Sequence, residues 1–195
     1  MANHELEANL HKVLQRTLEQ TLKSCAPDTP WQIVRANTLE EIRHEHCIVL
    51  TIAAFKFRIL CLLHLSLDAT SRAFVANATA TQPEALDESS YLDYLLEMSN
   101  SLCGNLKRNL QSSCPPLGMS TPNLLERSSL RFEDSATISH GVHACAMPTP
   151  GAPSFLAASL LLSLKDARDF NLLPFHEMAS EIAASDDSAG ELEMF

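Results

Sequence analysis

Residues 4–24 set Leu6, Leu10, Val13, Leu14, Leu18 and Leu22 at helical spacing, so one apolar stripe runs along a predicted helix. Pro27 and Pro30 end that segment. Three runs rich in Ile, Val, Leu and Phe follow, Trp31–Leu39, His46–Phe55 and Phe57–Asp68, and they read as strands. Their near-continuous apolar character predicts one face under helices and little of the other in water. A short helix is expected over Ala69–Asn77. Asp87 then stands where its carboxylate can cap the amide of Ser90, with Glu88 favourable in the first turn. A long helix is predicted from there to about Asn109 or Gln111. The prolines of the segment Cys114–Pro122 cannot continue it, so that stretch reads as a loop. Leu130–His140 and Phe155–Lys165 read as two more strands, separated by an excursion at 141–153 that is rich in Pro and Gly from Met147 onward. A last short helix is expected around Phe175–Ala183.

The order helix, strands, helix, strands predicts an α+β single domain, with two long helices packed on one face of an antiparallel sheet. The domain is expected to span residues 1–183, and the acidic, Gly- and Ser-containing stretch 184–195 reads as a disordered tail. Two long helices, each followed by strands, hint at an internal repeat.

Composition narrows the function. At 195 residues the chain suits one domain with a sizeable core. A formal net charge of -10 argues against a nucleic-acid partner, and no basic patch is evident. The longest apolar stretch, Ile59–Leu67, is interrupted by His64 and Ser66 and is too short to cross a bilayer. Six scattered cysteines with no CxxC, and no basic-apolar leader, lead to the expectation of reduced thiols in a cytoplasmic protein.

The segment from Tyr91 to Asn105 carries the candidate chemistry. At roughly 100° per residue, Leu92, Leu95, Leu96, Ser99, Leu102, Cys103, Leu106 and Leu110 gather on one side. Asp93, Glu97, Asn100 and Gly104 gather almost opposite, on a face predicted to meet solvent. Asparagine and glycine are poor helix formers, whereas a merely solvated face favours Glu, Lys and Gln. On spacing alone, Asp93 and Glu97 read equally well as ordinary surface charges.

These residues resemble the motif of the CheC/CheX/FliY chemotaxis phosphatases, and look closest to the CheX branch. The motif is an Asp or Ser, then Glu, then Asn at fixed spacing, with a later proline; here it reads Asp93, Glu97, Asn100 and Pro122. The pair Gly104-Asn105 and the phrase Met119-Ser-Thr-Pro122 extend the likeness. The resemblance covers element order over about residues 4–166 and residue detail mainly over 86–122. Two departures stand out: no glycine turn lies around Phe55–Phe57, and the first helix has no second ExxN.

The resemblance implies a phosphatase acting on the aspartyl phosphate of a CheY-like response regulator. Asn100 would position the attacking water, and Glu97 would pair with the regulator's lysine. Asp93 and Gly104 would belong to the partner-binding surface. No metal ligand or cofactor is expected from this chain, because the Mg²⁺ would come with the regulator. A homodimer is also implied. The alternative is a non-catalytic binding module of the same fold, docking a response regulator or a flagellar-switch component. Other constellations are weaker. His140, His143 and Cys145 lack a second ligand pair for zinc. His44 and His46 read as a polar edge before a strand. No serine is surrounded by nucleophile-elbow glycines, and no phosphate-cradling glycine loop exists.

Overall fold

The computed structural model describes residues 2–111, 117–130 and 138–165. The expected helix at Phe175–Ala183 and the acidic tail lie outside the described residues. Helix α1 (Ala2–Cys25) leads to strands β1 (Gln32–Ala36), β2 (His46–Ala53) and β3 (Phe57–Leu65). Helices α2 (Ala69–Ala78) and α3 (Glu88–Gln111) follow, then β4 (Gly118–Met119), β5 (Asn123–Glu126), β6 (His140–Met147) and β7 (Leu156–Leu164). The strands form one seven-stranded sheet in the order β1-β6-β7-β3-β2-β4, with β5 also on β2. Every pairing is antiparallel. The α+β expectation is borne out.

The sheet order is a palindrome. A helix followed by three strand positions occurs twice, α1 with β1, β2 and β3, then α3 with β4/β5, β6 and β7. The order runs outward symmetrically from the β7–β3 junction. Most buried positions of the two helices correspond: Leu10 with Leu95, Val13 with Met98, Leu14 with Ser99, Thr17 with Leu102, Leu18 with Cys103 and Thr21 with Leu106. The hinted repeat is therefore topological, although the residues themselves have diverged.

Side chains of both helices and of one sheet face make the main core, with Leu10, Leu14, Leu18, Ile48, Leu50, Ile59, Leu102 and Leu106 all buried. Small residues of β6 and β7, Ala144, Ala146 and Ala158, lie in that core and allow α1 to approach the sheet closely. Between the helices, the Asn105 amide donates to Thr21 Oγ1 at 2.9 Å, and the Asn109 amide donates to Thr17 Oγ1 at 3.0 Å. These bonds satisfy polar groups where two helices meet and fix their relative register. Leu106 is fully buried. Leu106→Ala is expected to cost about 2–5 kcal/mol in a urea titration; a loss below 0.5 kcal/mol, on the order of a surface substitution, would contradict its core placement.

The opposite sheet face also lies largely out of water, as its apolar runs require: Cys47, Leu62 and Leu161 are buried there. Several sequence expectations need correction. The excursion at 141–153 begins as strand β6, which runs through Met147, so irregular chain starts only at Pro148. Of the expected strand Leu130–His140, Leu130, Ile138 and Ser139 are not in a strand, and His140 begins β6. Residues Arg127–Ser129 form a 3₁₀ turn, the strand starts at His140, and 131–137 lie outside the described residues. Within the expected loop Cys114–Pro122, Gly118 and Met119 pair with Ala53 and Ile52. The missing glycine turn is closed by Phe55 and Lys56, with the Ala54 amide donating to Phe57 O at 3.0 Å; neither turn residue has positive φ.

Pro122 sits in a break of the edge strand. Gly118 and Met119 face Ala53 and Ile52, whereas Asn123 faces Val49, so three residues oppose two. Ser120 bridges the gap: its amide donates to Thr51 O and its hydroxyl accepts from the Thr51 amide, each at 2.9 Å. A proline, with no N–H to offer a ladder, fits such a bulge.

Candidate functional site

Helix α3 is held firmly at its start. The Asp87 carboxylate accepts from the Ser90 amide at 3.0 Å and from the Ser90 hydroxyl at 2.7 Å. The bond from the Ser90 amide is the main reason its acidity is strengthened. Arg72 of α2 donates to Leu86 O at 2.7 Å, pairs with Glu88, and stacks 4.6 Å over the Tyr91 ring. The Tyr91 hydroxyl meets Ser71 Oγ at 2.6 Å. These contacts fix the rotation of α3, and therefore which residues it turns outward.

The core stripe is as expected for Leu95, Ser99, Leu102, Cys103, Leu106 and Leu110, which are buried, while Leu92 and Leu96 are half-buried. Opposite them, Asp93 and Glu97 are exposed, and Asn100 and Gly104 are half-buried. The four share one face, but the Asn100–Gly104 end lies less open than the wheel predicts.

Glu97 and Asn100 are joined. Asn100 Nδ2 donates to Glu97 Oε2 at 3.2 Å. That bond selects a rotamer for the carboxamide and leaves its Oδ1 free to accept from a water or another donor. The second carboxylate oxygen of Glu97 remains available to a cation. Asp93 adds a second negative charge one turn away.

Gly104 has no packing reason among the described residues. A Cβ built there meets nothing within 4 Å, although glycine costs about 1 kcal/mol relative to alanine in a helix interior. Asn105, by contrast, is engaged with Thr21 and Arg108, so its role in the motif-like Gly-Asn pair is structural. Pro122 lies in the sheet edge, between the residues paired to Ile52 and to Val49.

The repeat gives α1 a corresponding face, where Lys12 and Gln15 take the places of Glu97 and Asn100. The Gln15 carboxamide is tied to Glu19 at 3.2 Å. Lys12 carries the opposite charge to Glu97, so of the two long helices only α3 has the Glu/Asn arrangement.

The histidines that sequence reasoning treated as incidental are built into the structure. His143 and His64 share the hydroxyl of buried Ser159, at 2.8 and 2.9 Å. His140 pairs with Glu7 at 3.2 Å. His44 is not part of a polar edge with His46. It is buried and contacts Ser66 and Ser154. Among the described residues no group of three or more His, Cys, Asp or Glu could hold a metal ion, and no helix is long and apolar enough to cross a membrane. The five described cysteines are free thiols.

No protein-family profile matches the sequence, and no curated protein matches it either. Solved structures do match. The CheX–CheY–BeF3–Mg²⁺ complex from Borrelia burgdorferi aligns at a TM-score of 0.63 and 9% identity, covering 78% of this chain and 96% of that one. A CheC-like chemotactic protein from Shewanella oneidensis aligns at 0.59 and 12%, covering 80% and 98%. The chemotaxis protein CheX from Vibrio vulnificus aligns at 0.56 and 16%, covering 77% and 97%. At such identities the shared property is the fold, and this chain has the α+β fold of the CheX and CheC-like chemotaxis proteins.

Proposed function

We propose that this chain hydrolyses the aspartyl phosphate of a CheY-like response regulator, with Asn100 positioning the attacking water. The observation that carries the reading is the Glu97–Asn100 pair. Its hydrogen bond uses the carboxamide nitrogen and leaves the oxygen to accept, on a helix face where Glu97 is exposed and Asn100 half-buried among the described residues. The similar CheX of Borrelia burgdorferi was solved in complex with CheY, BeF3 and Mg²⁺.

The chemistry asks little of this protein. An acyl phosphate already has a good leaving group, so placing a water in line with the phosphorus supplies most of what is missing. Asn100 Oδ1 would accept from that water, and Glu97 would pair with the regulator's lysine. Gly104 would allow the regulator to come close, and Asp93 would extend the negative surface. The metal would be the regulator's Mg²⁺, with no cofactor held by this chain. A cytoplasmic homodimer completes the proposal.

The test is phosphoryl decay of candidate regulators with and without the chain. Acceleration for at least one regulator is expected. Binding without acceleration would favour the non-catalytic module instead. Glu97→Ala is expected to weaken engagement of the phosphorylated regulator by about tenfold, the size of a charge-assisted bond worth ~1.5 kcal/mol. Unchanged affinity together with unchanged rate would remove Glu97 from the site.

A further inference from the structure

A cavity of about 290 Å³ opens where β3 hands over to α2, lined among others by His44, Ser66, Asp68, Thr70, Ser154 and Phe155. The α3 site does not use it. Ser154 has one hydroxyl proton and donates it to Leu156 O at 2.9 Å. Towards His44 Nε2, 3.3 Å away, the Ser154 oxygen can therefore only accept, which places the imidazole proton on Nε2. His44 Nδ1 is left with its lone pair, and Ser66 Oγ at 3.1 Å donates to it.

A hydroxyl donating to an imidazole, whose far nitrogen is anchored by a third group, is the arrangement of nucleophile, general base and orienting residue. Burial keeps His44 neutral and able to accept a proton, against the opposing pull of the Asp68 carboxylate. The start of α2 adds donors. The Asp68 side chain takes the Ser71 amide and the Asp68 carbonyl takes that of Arg72. The amides of Ala69 and Thr70 are the two that a helix start leaves over, and Thr70 lies on the cavity.

We propose that Ser66 is an acyl-accepting nucleophile for small neutral carboxylic esters, with His44 as its general base and Ser154 positioning that base. Ser66 Oγ bonds to the carbonyl carbon as its proton passes to His44 Nδ1. The ester C–O bond breaks, and the alcohol leaves with that proton. Water then adds to the acyl-serine, giving the carboxylic acid and restoring the hydroxyl. Asp68 favours the transient imidazolium and disfavours anionic substrates. Pro148, Pro153 and Phe155 offer an apolar wall to the acyl chain.

The experiment treats the full chain with p-nitrophenyl acetate, follows p-nitrophenolate release and maps acetyl groups by mass spectrometry. Acetylation of Ser66 is expected, with release falling about 100-fold in Ser66→Ala. Ser154→Ala should slow acetylation at an unchanged melting temperature, and Ser154→Thr should restore it. Release undiminished in Ser66→Ala, or acetyl groups confined to lysines and other residues, overturns the proposal. If Ser66→Ala loses its fold, the acetyl map of the unmodified sequence decides alone.

Discussion

Asn100→Ala is expected to lower regulator dephosphorylation by about 100-fold or more while leaving affinity for the phosphorylated regulator within about threefold. The first figure is what misplacing one reacting group typically costs. The second follows because Asn100 is half-buried on α3 and hydrogen-bonds only its helix neighbour Glu97 among the contacts described. Removing the carboxamide leaves the Glu97 carboxylate, the Asp93 charge and the open space at Gly104 as they were. The fold should not suffer, since alanine is the better helix former. Rapid-quench measurement of phosphoryl decay, beside an affinity measurement on the same variant, separates the two effects. An equal loss of binding and rate would show that Asn100 is a docking contact and not a water-positioning group.

Acid is expected to destabilise the fold well above the pH at which carboxylates titrate. His64 is fully buried on the sheet face away from the helices, and its pKa is pushed down to about 3, first by desolvation and then by Arg127 and neighbouring histidines. Burial also lowers His143, His44 and His11. The Ser159 hydroxyl between His64 and His143 has one proton, so at most one imidazole accepts from it and at least one donates an N–H to its oxygen. With a folded pKa below the unfolded value, the unfolded chain binds more protons throughout this window. Stability is therefore full above about pH 6.5 and falls as the pH drops toward 3, by roughly 1.4 kcal/mol per pH unit from His64 alone. Urea midpoints at pH 7.5 and 4.5 check this, and a flat profile between them would contradict the buried neutral histidine pair. His64→Asn should flatten the slope.

The local features were legible in the sequence because their causes are local. A leucine repeat at helical spacing determines α1 and the core stripe of α3. The Asp87 carboxylate three residues before Ser90 determines where α3 begins, and the near-continuous apolar runs of β2 and β3 announce a sheet with both faces largely covered. Glu97 and Asn100 could be placed on one face for the same reason, since three residues on a helix are always neighbours.

Strand β6 was hidden. Val142, Ala144 and Ala146 face the core, but alanine has little strand preference, and its small size is set by the helix lying above it. Strands β4 and β5 were hidden because their pairing comes from β2, distant in sequence, and Ser120 supplies a side chain where the ladder breaks. The palindromic sheet order was at most hinted at, since packing positions repeat while residues do not. The His44, Ser66 and Ser154 cluster had no sequence signal at all, because three separate segments converge there. Sequence determined which helix sets Glu97 and Asn100 on the face opposite the core stripe; only the tertiary structure decided that they bond to each other, that Asn105 is spent on α1, and that no packing among the described residues explains Gly104. Periodicity is a property of neighbours along the chain, whereas hydrogen-bond partners and free space depend on what folding brings alongside.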